Sequence, residues 1–181
     1  MFTVGFLNRR DRLGLLANIV APIALAAALN ALIFGLGWNQ PTHGDHDAIA
    51  PPPWVIGLIW IVLFALLGVA RWLLVLSSRV DVENAIRGRS ISQAFASLHI
   101  LIVMSAAYVF YAILPGSAVA GLIGNAITLG LAVVAVDRAI AVSRVAAVLI
   151  APTVIWLAFA TLLFFLDPAA QQIVSVSVSI S

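Results

Sequence analysis

"PPPWVIGLIW", residues 51–60, places three prolines and two tryptophans at the head of an apolar run that continues to about residue 78. A bilayer core of about 30 Å needs roughly twenty helical residues, so the run reads as a membrane span. Four more runs of that kind flank it, giving spans at about 13–38, 53–78, 92–114, 117–137 and 145–166. The expected fold is an all-α integral membrane protein, a bundle of five transmembrane helices forming a single domain. The tail from 167 to 181 reads as flexible, because its alternation of apolar residues and serines has no sheet to join.

The composition agrees. Of 181 residues, 64% are hydrophobic and 9% charged, with a mean hydropathy of +1.16. No soluble domain buries that much apolar surface. The first run is too long for the apolar part of a cleaved signal, so it reads as a retained span. With no cysteine, the chain holds no disulfide, thiolate metal site or cysteine nucleophile.

The arginines predict orientation. Arg9, Arg10 and Arg12 precede span 1; Arg79, Arg87 and Arg89 separate spans 2 and 3; Arg138 and Arg144 separate spans 4 and 5. The alternate loops have none, so the N-terminus is expected in the cytoplasm and the C-terminus outside, with a bacterial inner membrane as the default. This bias, rather than nucleic-acid binding, accounts for the basic pI of about 9.9. Arg71, in the last third of span 2, is expected to snorkel toward the arginine-rich face.

Few side chains inside the spans carry chemistry. His99 is the only histidine well inside one, and it reads equally as a functional group or a packing hydrogen bond. Asn30, Ser105, Tyr108, Tyr111, Asn125 and Thr128 more often tie helices together than contact ligands. In the first outer loop His43, Asp45, His46 and Asp47 lie close together, but their spacing is not a metal-binding one and a solvated loop is the simpler reading. No serine elbow, phosphate loop or carboxylate pair points to a conventional enzyme. Interfacial anchoring accounts for Trp38, Trp54 and Trp72. Trp60, about 10 Å beyond Pro53 at 1.5 Å per residue, and Trp156, one turn after Pro152, lie deeper than an anchor needs. Together with the bend that Pro152 introduces, they suggest an aromatic-lined cavity for a flat apolar ligand, against the alternative of core packing.

These features resemble the TspO/MBR family, the tryptophan-rich sensory proteins related to the mitochondrial translocator protein. In span 2, Pro51, Pro52, Trp54 and Trp60 match the family motif, with Phe64 where Tyr is frequent. In span 5, "APTVIWLAFATLL", residues 151–163, matches through Pro152, Trp156 and Thr161. Thr153 replaces the usual Tyr, Phe164 stands where Asn is common, and Ser105 and Tyr108 occupy the spacing of the Asn-x-x-Trp of span 3. The resemblance implies a cavity opening toward the first outer loop, with Pro51 and Pro52 at its rim. Ligand contacts would come from Trp54, Trp60, Phe64, Tyr108, Asn125, Trp156 and Ala160, with His99 added from the reading of the spans and not from the family pattern. It also implies porphyrin or haem as a ligand rather than an obligatory cofactor, sterol-like molecules as alternatives, and a homodimer as an assembly. Transport of small hydrophobic molecules and light-dependent porphyrin breakdown stand as alternative activities. Span 4, with Gly121, Gly124, Ala126 and Gly130, offers a small-residue surface for close helix approach.

Overall fold

The computed structural model describes residues 7–38, 51–78, 85–113 and 118–166. Its helices are α1 (Arg12–Gly35), α2 (Pro53–Ser77), α3 (Ala85–Ala106), α4 (Ala118–Ile140) and α5 (Arg144–Leu166), with a π-helical turn (Val109–Ile113) after α3. Among the described residues five segments are long and apolar enough to cross a membrane. His43, Asp45, His46, Asp47 and the 167–181 tail lie outside the described residues.

Both ends of α1 and the start of α2 have local causes. The Asp11 carboxylate caps α1 by accepting the Gly14 amide at 2.9 Å, and Arg9 holds that carboxylate at 2.7 Å. The Arg9 hydrogen bond, then the Gly14 amide, keeps the Asp11 carboxyl below its ordinary pKa. At its other end α1 stops before 38 because Gly37 adopts φ 68°. The Gly37 amide donates to Phe34 O at 3.3 Å and the Trp38 amide to Ile33 O at 2.9 Å, a Schellman closure. Pro53 starts α2, where its missing N–H removes no helical bond.

α2 is the central helix, packed against α1, α5 and α3, while α4 packs against α5 and α3. The core is a layer of Leu67, Leu74, Leu98, Leu101, Ile150 and Leu157, with Ala132, Ala135 and Ala139 of α4 beside Ala146 and Ala147 of α5. Alanines let those two backbones approach where lipid supplies no hydrophobic drive. α1 meets α2 just as closely. Pro22 has no N–H for the Asn18 carbonyl one turn back, and a Cβ on Gly68 would fall on that same oxygen. The small residues of span 4 do not share one face: Gly121 and Gly124 point inward, and Ala126 and Gly130 outward. Gly124 receives the Tyr111 ring, which a Cβ there would overlap.

α3 breaks at Ala107 without a proline or glycine. The amides of Phe110 and Tyr111 both donate to Ala107 O, at 2.9 and 3.3 Å, and the chain widens into the π turn. Such turns re-aim the side chains around them.

Candidate functional site

At the arginine-poor end of the bundle, α1, α2 and the end of α3 enclose a cavity of about 250 Å³. Its walls are aromatic: Phe34 and Trp38 from α1 and its closure, Trp60 and Phe64 from α2, and Tyr108 at the break in α3. Trp60 is the hub, edge-on to Phe64 with centroids 6.0 Å apart and tilted at 36° to Tyr108 at 6.3 Å. Tyr108 meets Tyr111 at 5.5 Å and 80°. Thr128 Oγ1 donates to Gly124 O at 2.7 Å, so the Tyr111 hydroxyl, 3.2 Å away, donates to Thr128. This chain of contacts anchors the aromatic wall to α4.

Among the described lining residues, Asn30 and Ser105 add polar side chains to the aromatic walls. Asn30 donates to Gly57 O at 3.1 Å, a close approach that the bare Gly57 backbone allows. Ser105 lines the cavity with its Oγ buried and without a hydrogen-bond partner among the described residues. A buried hydroxyl left unpaired costs free energy that a ligand acceptor or a water would recover.

Of the residues expected as ligand contacts, Trp60, Phe64 and Tyr108 line this cavity, as do Asn30, Ser105 and Trp38, which the sequence marked for other roles, and the remaining expected contacts stand elsewhere. Trp54 is 65% exposed on the outer surface of α2. Pro53, rather than Pro51 or Pro52, contributes to the lining. Trp156 is half-buried on α5 and packs on Phe159 at 5.7 Å. Ala160 is half-buried a turn further on. Asn125 is buried between α4 and α5, where its amide donates to Leu157 O at 3.2 Å and Thr161 Oγ1 at 2.8 Å.

His99 lies toward the opposite end of the bundle. Its Nδ1 is 2.7 Å from Phe95 O and its Nε2 is 3.0 Å from Arg71 Nε. A carbonyl only accepts and a guanidinium only donates, so the hydrogen sits on Nδ1 and both ring nitrogens are engaged. Among the described residues no cluster of His, Cys, Asp or Glu could hold a metal ion.

Trp38, expected from the sequence to anchor at the interface, lines the cavity. The signal was available in Gly37, one residue past the cap Leu36, because a Schellman closure folds the next side chain back onto the last turn. The deviation at Ala107 that presents Tyr108 has no such signal.

Fold and site together describe a five-helix membrane protein with an aromatic cavity at one end. The chain belongs to the TspO/MBR family, whose model matches residues 19–166. No curated protein and no solved structure matches the chain. Family membership indicates a membrane role in sensing, binding or transport.

Proposed function

We propose that this protein is a membrane sensor that binds flat hydrophobic ligands, tetrapyrroles among them, in the cavity around Trp60. The observation that carries this reading is the meeting of Trp60, Tyr108, Phe64 and Trp38 around one space that also holds an unpartnered Ser105 hydroxyl. Indole and phenol faces give a planar ligand a large contact area at small entropic cost. The volume of about 250 Å³ is just under the roughly 300–1,000 Å³ range of drug-sized pockets. The enclosed part therefore suits the edge of a large ring system or the whole of a smaller one. Its described lining has no His, Cys or Met and holds one phenol, Tyr108, so the walls favour the ring of haem more than its iron. In this reading the arginine-rich end faces the cytoplasm of a bacterial inner membrane, the cavity opens on the other side, and two copies form a dimer.

The test is a titration of the detergent-purified protein with protoporphyrin IX and with haemin, following tryptophan fluorescence and ligand absorbance. Saturable binding of both, with similar affinity and weakened by Trp60→Ala, is expected. Absence of saturable binding in folded protein would overturn the tetrapyrrole assignment.

A further inference from the structure

At the arginine-rich end a second hollow, of about 340 Å³, is lined by Asn8, Arg10, Arg71, Ser78, Phe95 and His99, together with Val75. Arg71 is only 7% exposed. Its Nε donates to His99 Nε2 at 3.0 Å. Nη1 donates to Leu7 O at 2.9 Å and to Asn18 Oδ1 at 2.6 Å, and Nη2 donates to Asn8 Oδ1 at 3.0 Å. The Phe95 ring lies 5.9 Å from the guanidinium carbon.

All four acceptors are neutral. They satisfy four of the five guanidinium hydrogens and cancel none of the charge. Guanidinium stays protonated, and a buried cation is costly until an anion accompanies it. The two described carboxylates do not serve: Asp11 is held by Arg9 at 2.7 Å, and Asp137 lies 3.9 Å from Arg138. Arg10 adds a second cation at the same hollow, making one described hydrogen bond, to Ser78 Oγ at 3.1 Å. Arg71 is six residues before the end of α2, about 9 Å along the axis. That depth is close to the lipid phosphates, and basic pockets between helices at this level recognise anionic headgroups.

We infer that the hollow between Arg10, Arg71 and His99 is a phosphate-binding site, filled by the headgroup of an anionic lipid or by a free phosphate. The spare Nη2 hydrogen of Arg71 and the unused donors of Arg10 supply charge-assisted hydrogen bonds to the phosphate oxygens. The neutral His99 holds the Arg71 fork from behind and does not contact the anion as a cation.

The test uses the full chain in neutral maltoside detergent, with two arms. In the first, native mass spectrometry compares retention of dioleoyl phosphatidylglycerol and dioleoyl phosphatidylcholine. In the second, inorganic phosphate is titrated against the thermal midpoint. A lipid site retains one phosphatidylglycerol with about tenfold preference, the scale of one charge-assisted hydrogen bond. A free-phosphate site instead gives a saturable rise in midpoint with phosphate and no lipid preference.

Arg10→Gln, at the edge of the hollow, should reduce the signal about tenfold while costing the anion-free protein no more than the one hydrogen bond to Ser78, and Arg71→Gln should abolish it. Should Arg71→Gln not fold, the Arg10→Gln result decides. The inference is overturned if neither arm shows binding, or if binding is unchanged in Arg10→Gln. It is equally overturned if the signal emerges only after Asp81→Asn and Glu83→Gln, because a carboxylate of the chain would then be the anion.

Discussion

Arg71 Nε donates to His99 Nε2 at 3.0 Å, joining α2 to α3 through the two ionisable side chains that lie deepest in their spans. His99→Ala leaves a buried guanidinium hydrogen without its acceptor. The expected loss is about 1–3 kcal/mol of stability, and His99→Gln, which retains an acceptor, should recover part of it. Thermal unfolding of the three proteins in one detergent measures this. Porphyrin affinity should not move, because the aromatic cavity and the Arg71 hollow share no lining residue.

Trp60 and Trp156 should separate in a binding experiment. Trp60→Ala removes the ring that meets both Phe64 and Tyr108 and should weaken a planar ligand about three- to tenfold, the scale of an aromatic pair. Trp156→Ala, whose ring packs on Phe159 of its own helix, should leave affinity within about twofold by the same reasoning. Equal losses in the two titrations would place the ligand elsewhere in the bundle.

Gly37 at φ 68° gives a prediction that joins backbone to site. Gly37→Ala puts a Cβ in the left-handed region at a cost of about 1–2 kcal/mol. It should also loosen the closure that brings Trp38 to the cavity, so ligand affinity and thermal midpoint fall together. Trp38→Ala, by contrast, should reduce affinity with a smaller effect on the midpoint.

Gly68→Ala tests the contact between α1 and α2. The new methyl would fall on the Asn18 carbonyl oxygen, and that backbone cannot yield without moving α1. Overpacking of this kind costs about 1–3 kcal/mol. Because Asn18 also accepts from Arg71, the phosphate response should weaken along with stability.

The pH dependence of the α1 cap follows from Asp11, whose folded carboxyl sits below its ordinary pKa because of Arg9 and the Gly14 amide. A depressed folded value means that the cap contributes above the unfolded carboxyl's pKa and is lost as pH falls through the folded one. Asp11→Asn, which loses the Arg9 contact, should therefore lower stability slightly at neutral pH and converge with the parent as pH falls, flattening the acid limb of a stability-versus-pH curve. Since Asp11 is solvent-exposed, the effect should be small and should shrink further in high salt.

The sequence alone determined the five spans, because roughly twenty consecutive apolar residues are a local property that the bilayer thickness converts directly into a helix. Trp60 and Phe64 were legible as a pair for the same reason: four residues apart on one helix, they share a face whatever surrounds it. Rotation about the helix axis was not legible. In water a polar stripe marks the outward face, but in lipid both faces of α2 and α5 are apolar, so hydropathy cannot say which way Trp54 or Trp156 points. Packing decided it, placing Trp54 on the outer surface and Trp60 at the cavity. Arg71 shows the same limit. Its depth suggested a side chain reaching toward the arginine-rich face, but not that Leu7, Asn8, Asn18 and His99 would supply its acceptors there. Those residues come together only when the N-terminal segment, α1 and α3 close on α2.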